Sequence, residues 1–231
     1  MKIAIIASDA FELKGIVSVL ENSEKTRLPF RFSRVGKWKC NKVICVADGP
    51  GFSIAGKVAR SVVEEFEPDS VWSVGLCGAL DDSLRVGDVV TAKTVVDPAA
   101  NESFETESQN IKGGKRVTIV SQDRIAASVQ EKKALRHWGE VVEMEAAAIA
   151  RELRSKEIKF SCVKVVSDAA GEEFGIDLNN ARDPQGRIQT SRILREAFRN
   201  PVKNFSELAR LFKQSRYASG CLGEFIVNSG I

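Results

Sequence analysis

Six short apolar runs rich in Val and Ile, each followed by turn residues, alternate with stretches of helical spacing, and this alternation restricts the fold more than any other feature of the chain. Residues 3–7, 42–47, 70–74, 88–96, 116–120 and 161–166 read as strands. Residues 10–20, 52–66, 123–131, 144–156, 190–198 and 205–225 carry the helical period. Strands that are apolar on both faces need helices on both sides of their sheet. The pattern therefore predicts an α/β protein, a three-layer α/β/α arrangement around a central mixed sheet. With 231 residues and 43% apolar content the chain can bury a full core, and one domain over residues 1–231 is expected, ending in a helical tail from about residue 188. Residues 98–114 lack periodicity and read as a mobile loop, and residues 171–187 form a second irregular segment placed to cover a pocket.

Charge and cysteine content remove whole classes of function. The 34 basic and 31 acidic residues are interspersed and leave a net charge of +3, so no face advertises nucleic acid. Cys40, Cys45, Cys77, Cys162 and Cys221 are odd in number and show no CxxC spacing, which points to reduced thiols in a cytoplasmic protein. The first apolar run is too short for a signal peptide, and no stretch approaches the roughly 20 apolar residues of an integral membrane segment. One histidine and no metal-ligand cluster imply no metal, which leaves carboxylates as the main source of acid and base chemistry.

The carboxylates are well placed for it. Val142-Glu143-Met144-Glu145-Ala146 reads as a helix start, and Ser167-Asp168 directly follows an apolar strand, at the strand end where open α/β sheets bind ligands. Two glycine-rich turns also follow strands. The first, Ala47-Asp48-Gly49-Pro50-Gly51-Phe52-Ser53-Ile54-Ala55-Gly56, lets backbone approach a ligand beside a helix N-terminus, but it lacks the GxGxxG spacing of dinucleotide sites. The second is Gly75-Leu76-Cys77-Gly78.

Taken in order, Gly75 to Gly78, Val86-Gly87-Asp88-Val89-Val90, Val142-Glu143-Met144-Glu145-Ala146 and Val166-Ser167-Asp168 resemble the nucleoside phosphorylase and nucleosidase superfamily. That superfamily includes purine nucleoside phosphorylases and methylthioadenosine/S-adenosylhomocysteine nucleosidases. The likeness covers roughly residues 1–175, while Asp183-Pro184-Gln185-Gly186-Arg187, Phe198-Arg199-Asn200-Pro201 and Leu208-Ala209-Arg210-Leu211 look most like its hopanoid-associated phosphorylase branch.

The resemblance implies an enzyme that cleaves the N-glycosidic bond of an adenine-type, 5′-modified nucleoside without metal or organic cofactor, working as a homo-oligomer. By the same resemblance Asp168 is the acid at the purine N7, with Ser167 holding its carboxyl group, although Ser-Asp after a strand is also ordinary helix-capping chemistry. Glu145 looks like the ligand of the ribose hydroxyls, with Met144 packed on the sugar or simply filling core. Glu143 reads as a helix-end acid that could also line the base pocket. Cys77 and Gly78 join the substrate-binding set, and Ile125 and Phe174 are candidates to sandwich the base.

Glu12 matches the position at which nucleosidases hold the glutamate that activates water, but Leu76 stands where they carry a serine. The branch resemblance puts phosphorolysis first, with inorganic phosphate as co-substrate. Gly49, Gly51 and Ser53, helped by Arg27, Arg31 or Arg34, would form the phosphate or nucleophile site. Hydrolysis is the alternative, and a non-catalytic nucleoside-binding protein the second.

Overall fold

The computed structural model describes residues 1–108, 111–183, 189, 192 and 201–229. The expected alternation is present. In chain order it runs β1 (Lys2–Ala7), a 3-10 turn (Ala10–Leu13), α1 (Lys14–Val17), β2 (Glu21–Lys25), β3 (Phe32–Trp38), β4 (Asn41–Ala47) and α2 (Phe52–Phe66). It continues through β5 (Ser70–Ala79), β6 (Val89–Asp97), β7 (Glu102–Glu105), β8 (Lys115–Ser121), α3 (Val129–Leu135) and β9 (Val141–Glu143). The last elements are α4 (Ala146–Leu153), β10 (Lys159–Asp168) and α5 (Pro201–Asn228).

These strands form one mixed sheet. β10, β5, β1 and β4 run parallel, and β3 and β2 extend that edge antiparallel. The other end curls back. β10 pairs antiparallel with β6 as well as parallel with β5, while β6, β8 and β9 run parallel and β9 returns to β5 antiparallel.

Alternate residues of each central strand feed opposite faces, as the two-residue strand period requires. Ala4, Ile6, Ile44, Val46 and Val71 pack with α2 and α4 on one side. Ile3, Ile5, Val43, Cys45, Trp72 and Val74 pack with α1 and α5 on the other. Helix α2 shows why its period was legible: Ile54, Val58, Val62 and Phe66, four residues apart, are all buried.

Several sequence expectations are corrected by pairing that one segment cannot reveal. The helix expected over residues 10–20 is only the 3-10 turn and the four-residue α1, because β2 begins at Glu21. The helix expected over 123–131 starts later, at Val129, where Ser128 and Glu131 close a capping box. Within the supposed loop 98–114, Glu102–Glu105 pairs antiparallel with β6. Gly75 to Gly78 is no turn, since β5 runs through it to Ala79. Strand β9 likewise takes Glu143 out of the expected helix start, and α4 begins at Ala146. The helix expected over 190–198 lies outside the described residues except for Arg192, as do residues 184–187 and 198–200 of the branch motifs.

Candidate active site

A cavity of about 330 Å³ opens at the carboxyl ends of β5 and β10. Glu12, Cys77, Gly78, Ile125, Glu143, Met144, Glu145, Ser167, Asp168 and Phe174, all named from sequence, line it together. Gly49, Gly51 and Ser53 do not line it, and neither do Arg27, Arg31 and Arg34.

Glu12 sits in the 3-10 turn after β1, where a capping box with Asp9 fixes the backbone. Its Oε2 accepts hydrogen bonds from the Ser8 amide (2.9 Å), the Ser8 hydroxyl (2.8 Å) and the Asp9 amide (2.8 Å). Its Oε1 accepts one from the Leu76 amide at 2.9 Å. Burial pushes the Glu12 carboxyl above its usual range, against the pull of these donors and of Lys164. Four lone-pair sites on a carboxylate and a single donor at Oε1 leave that oxygen able to accept another proton donor.

Glu143 and Glu145 reach the cavity from the junction of β9 and α4. Glu143 Oε2 accepts the Glu145 and Ala146 amides at 3.0 and 2.9 Å, so it caps the free N–H groups at the start of α4. Lys164, fully buried on β10, places its ammonium 2.8 Å from Glu143 Oε2 and 3.5 Å from Glu145 Oε2. Its N–H bonds meet no acceptor in hydrogen-bond geometry among the described residues, so the contact is an ion pair. Burial raises the Glu143 carboxyl, but Lys164, the Ser121 hydroxyl and the Glu145 amide together outweigh it and hold Glu143 below the usual range. Glu145 is pushed up to about 7 by burial, with Glu143 and Glu12 adding to the rise and Lys164 opposing it.

Asp168 ends β10 just past an irregularity in its register with β5. A Cβ on Gly78 would lie 2.9 Å from Asp168 Oδ2, so a side chain there would displace the acid from its present position. Lys132 of α3, also buried, donates to Asp168 Oδ2 at 2.5 Å. The Ser167 hydroxyl lies 2.8 Å from Asp168 Oδ1 and 3.2 Å from the Cys77 carbonyl, and its single proton serves one of them. Burial raises the Asp168 carboxyl, with Lys132 opposing.

Two amides of the loop before α2 are already engaged by carboxylates. The Gly51 amide donates to Glu145 Oε1 at 3.2 Å, and the Phe52 amide donates to Asp123 Oδ1 at 3.0 Å. Of the three arginines, Arg31 gives its backbone N–H to Asp48, and Arg34 lies within β3 opposite Cys45. Residues 171–183 do cover the pocket. The Phe174 amide donates to the Ala127 carbonyl at 2.8 Å, and the Asn179 side chain accepts from the Ile125 amide (2.9 Å) and donates to the Ile125 carbonyl (3.0 Å).

Sequence reasoning missed Lys132, Lys164 and the contribution of Leu211 and Ser215 from α5 to the lining. Lys164 did leave a signal, a lone charge inside an apolar strand, which burial makes costly unless a carboxylate faces it. Lys132 left none, because charged neighbours on both sides hide which face it takes. Among the described residues no group of three or more His, Cys, Asp or Glu side chains is arranged to hold a metal ion. No helix there is long and apolar enough to cross a membrane.

Comparison with known proteins agrees with this architecture. The model of the phosphorylase superfamily matches residues 2–117 and 114–199. The 5′-methylthioadenosine/S-adenosylhomocysteine nucleosidase of Lysinibacillus sphaericus (strain C3-41) is 26% identical over 225 residues, covering 84% of this chain and 98% of that protein. The fold is similar to Streptococcus pneumoniae MTA/SAH nucleosidase in complex with 8-aminoadenine, with a TM-score of 0.75 at 19% identity over 98% of this chain and 97% of that one. It is also similar to the Neisseria meningitidis 5′-methylthioadenosine/S-adenosylhomocysteine nucleosidase in complex with methylthio-immucillin-A, with a TM-score of 0.74 at 21% identity over 98% and 96% of the two chains. With the fold, the pocket at the strand ends and a family match spanning most of its length, the chain is an enzyme that belongs to the phosphorylase superfamily.

Proposed function

We propose that this enzyme hydrolyses the N-glycosidic bond of a 5′-modified adenine nucleoside, in the manner of a methylthioadenosine/S-adenosylhomocysteine nucleosidase. The observation that carries the choice of water over phosphate is the occupancy of the α2 N-terminus. Its Gly51 and Phe52 amides are already taken by Glu145 and Asp123, while Glu12 lines the cavity itself. Curated relatives that carry the nucleosidase name, at 26% identity, support the same choice over the phosphorolysis favoured by the branch resemblance.

In this reading Glu145 accepts the ribose hydroxyls through Oε2, which keeps lone-pair capacity beside its 3.5 Å contact with Lys164, and Met144 packs on the sugar. Asp168 gives a proton to N7, so the base leaves neutral while positive charge builds on the sugar. Glu12 takes a proton from water through Oε1, and the hydroxide adds to C1′. A base raised by burial is a stronger base, which suits Glu12. Ile125 and Phe174 flank the heterocycle, with Cys77 and Gly78 beneath it.

Five free thiols support a reducing, cytoplasmic setting. Exposed Phe205, Phe212 and Tyr217 on α5 support association into a homo-oligomer, to be read by light scattering.

The test is release of adenine from 5′-methylthioadenosine with and without inorganic phosphate. Equal release in both supports hydrolysis. Release that requires phosphate transfers the site to phosphorolysis, and calorimetric binding without any release leaves a nucleoside-binding protein.

A further inference from the structure

We infer that Lys132 is a positioning residue for Asp168, fixing its carboxyl group and receiving the negative charge that appears on it when its proton passes to the departing base. The inference rests on the hydrolytic reading above.

The ammonium of Lys132 is held on every side. It donates to Asp168 Oδ2 (2.5 Å), the Ala169 carbonyl (2.7 Å) and the Glu172 carbonyl (3.0 Å), which uses all three of its N–H bonds. The Phe174 ring lies over it, 5.6 Å from the nitrogen to the ring centroid. The capping box of Ser128 and Glu131 sets the first turn of α3, and the Lys132 amide donates to the Ser128 carbonyl, so the stem starts from a fixed backbone. The side chain is 1% exposed. A lysine buried this deeply costs stability that an apolar side chain of the same length would not, so packing alone does not explain it.

Its use lies in when the charge appears. While Asp168 holds its proton, the ammonium faces a neutral carboxyl group. As the proton moves to N7 the carboxyl becomes a carboxylate, and a pair excluded from water gains attraction at that moment. No atom is gained or lost by Lys132: the N7–H bond forms, the Asp168 O–H bond breaks, and the electron pair stays on Asp168.

The other groups facing Asp168 cannot do this. Cys77 from β5 has a thiol that burial keeps protonated, and Ser167 is neutral. Glu172, in the loop after β10, is acidic, and Arg210 and Gln214 of α5 hold its carboxylate. Lys132 is the one cation paired with Asp168 among the described residues.

Removing the ammonium leaves burial and Glu172 opposed by the Ser167 hydroxyl and no longer by the Lys132 charge. Asp168 then keeps its proton to higher pH but gives it up less readily. The experiment compares kcat and KM for adenine release from 5′-methylthioadenosine across pH in the wild type, K132M, K132Q and K132R, each checked for folding by circular dichroism and thermal unfolding. In K132M and K132Q we expect kcat to fall by about tenfold or more with KM little changed, and the alkaline limb of the profile to move to higher pH. K132R should keep the limb near its wild-type place and recover part of kcat; it decides the matter if the neutral variants fail to fold. A folded K132M or K132Q with wild-type kcat, or with a lower kcat and an unmoved alkaline limb, overturns the inference while wild-type turnover leaves the hydrolytic reading standing. A wild type that releases no base sinks both.

Discussion

Glu12 and Gly75 lie so close that a Cβ on Gly75 would stand 2.8 Å from Glu12 Oε1. The next residue, Leu76, donates its amide to the same oxygen, so the middle of β5 is shaped around a carboxylate that enters from the turn after β1. Gly75 also has φ of +141°, which side-chain-bearing residues rarely adopt. Gly75→Ala should therefore lower stability by about 1–3 kcal/mol and lower kcat together, measured by urea unfolding and adenine release. A variant with unchanged turnover would show that the grip of β5 on Glu12 is irrelevant to the reaction.

Glu12→Gln should stop hydrolysis while nucleoside binding survives. The amide cannot take a proton from water, and its NH₂ cannot accept from the donors at whichever oxygen it replaces, the Leu76 amide at Oε1 or the Ser8 and Asp9 groups at Oε2. Loss of about 10²-fold or more in kcat with calorimetric binding retained is expected. Hydrolysis at the wild-type rate would make Glu12 structural.

Asp168→Asn should cost both activity and stability. Turnover should fall by about 10²–10⁴-fold for loss of the proton donor. Wherever Asp168 is ionised in the wild type, this variant leaves the Lys132 ammonium buried without its anion, which destabilises by about 3 kcal/mol or more, and the cost shrinks at lower pH as Asp168 takes up its proton. Adding Lys132→Met to Asp168→Asn should restore much of that stability without restoring turnover. Thermal unfolding of the single and double variants measures the coupling, and simple additivity would mean the pair is not energetically linked.

The Glu145 carboxyl, at about 7 in the fold against an ordinary 4.5, makes stability depend on pH in a defined direction. Between those values the native state holds a proton that the unfolded chain has released, so this contribution is full below about 4.5 and is lost as pH rises through about 7. Glu145→Gln stays neutral throughout. At about pH 8 it should be more stable than the wild type by roughly 1–3 kcal/mol, with the gap closing toward acid. A gap that does not change with pH would place the elevation elsewhere.

Gly15 and Gly223 are the close crossing of α1 and α5: a Cβ on Gly15 would fall 2.5 Å from the Gly223 Cα. Gly223→Val should push α5 away, lowering the unfolding temperature and raising KM, because Leu211 and Ser215 on that helix line the pocket. An unaltered KM would show that the position of α5 is immaterial to binding.

Much of this molecule could be read directly from its sequence. Strand and helix alternation gave the mixed α/β architecture because apolar periodicity is local and strong: β1 needs only its own Ile3, Ala4, Ile5 and Ile6, and α2 only its four-residue spacing of buried side chains. The family resemblance, with the segments beside its motifs, also named ten residues that line the cavity. What sequence could not supply was pairing between distant segments. β7 and β9 are only four and three residues long, too short to announce a strand by their own pattern, and they exist because β6, β5 and β8 offer edges to them. The tertiary structure alone decided that the α2 amides meet Glu145 and Asp123 and that Lys132 turns inward to Asp168. It also decided that α5 lies across α1. In each case a charge or a helix face is indifferent to its neighbours in the chain, and its energy is set by the group that folding brings against it.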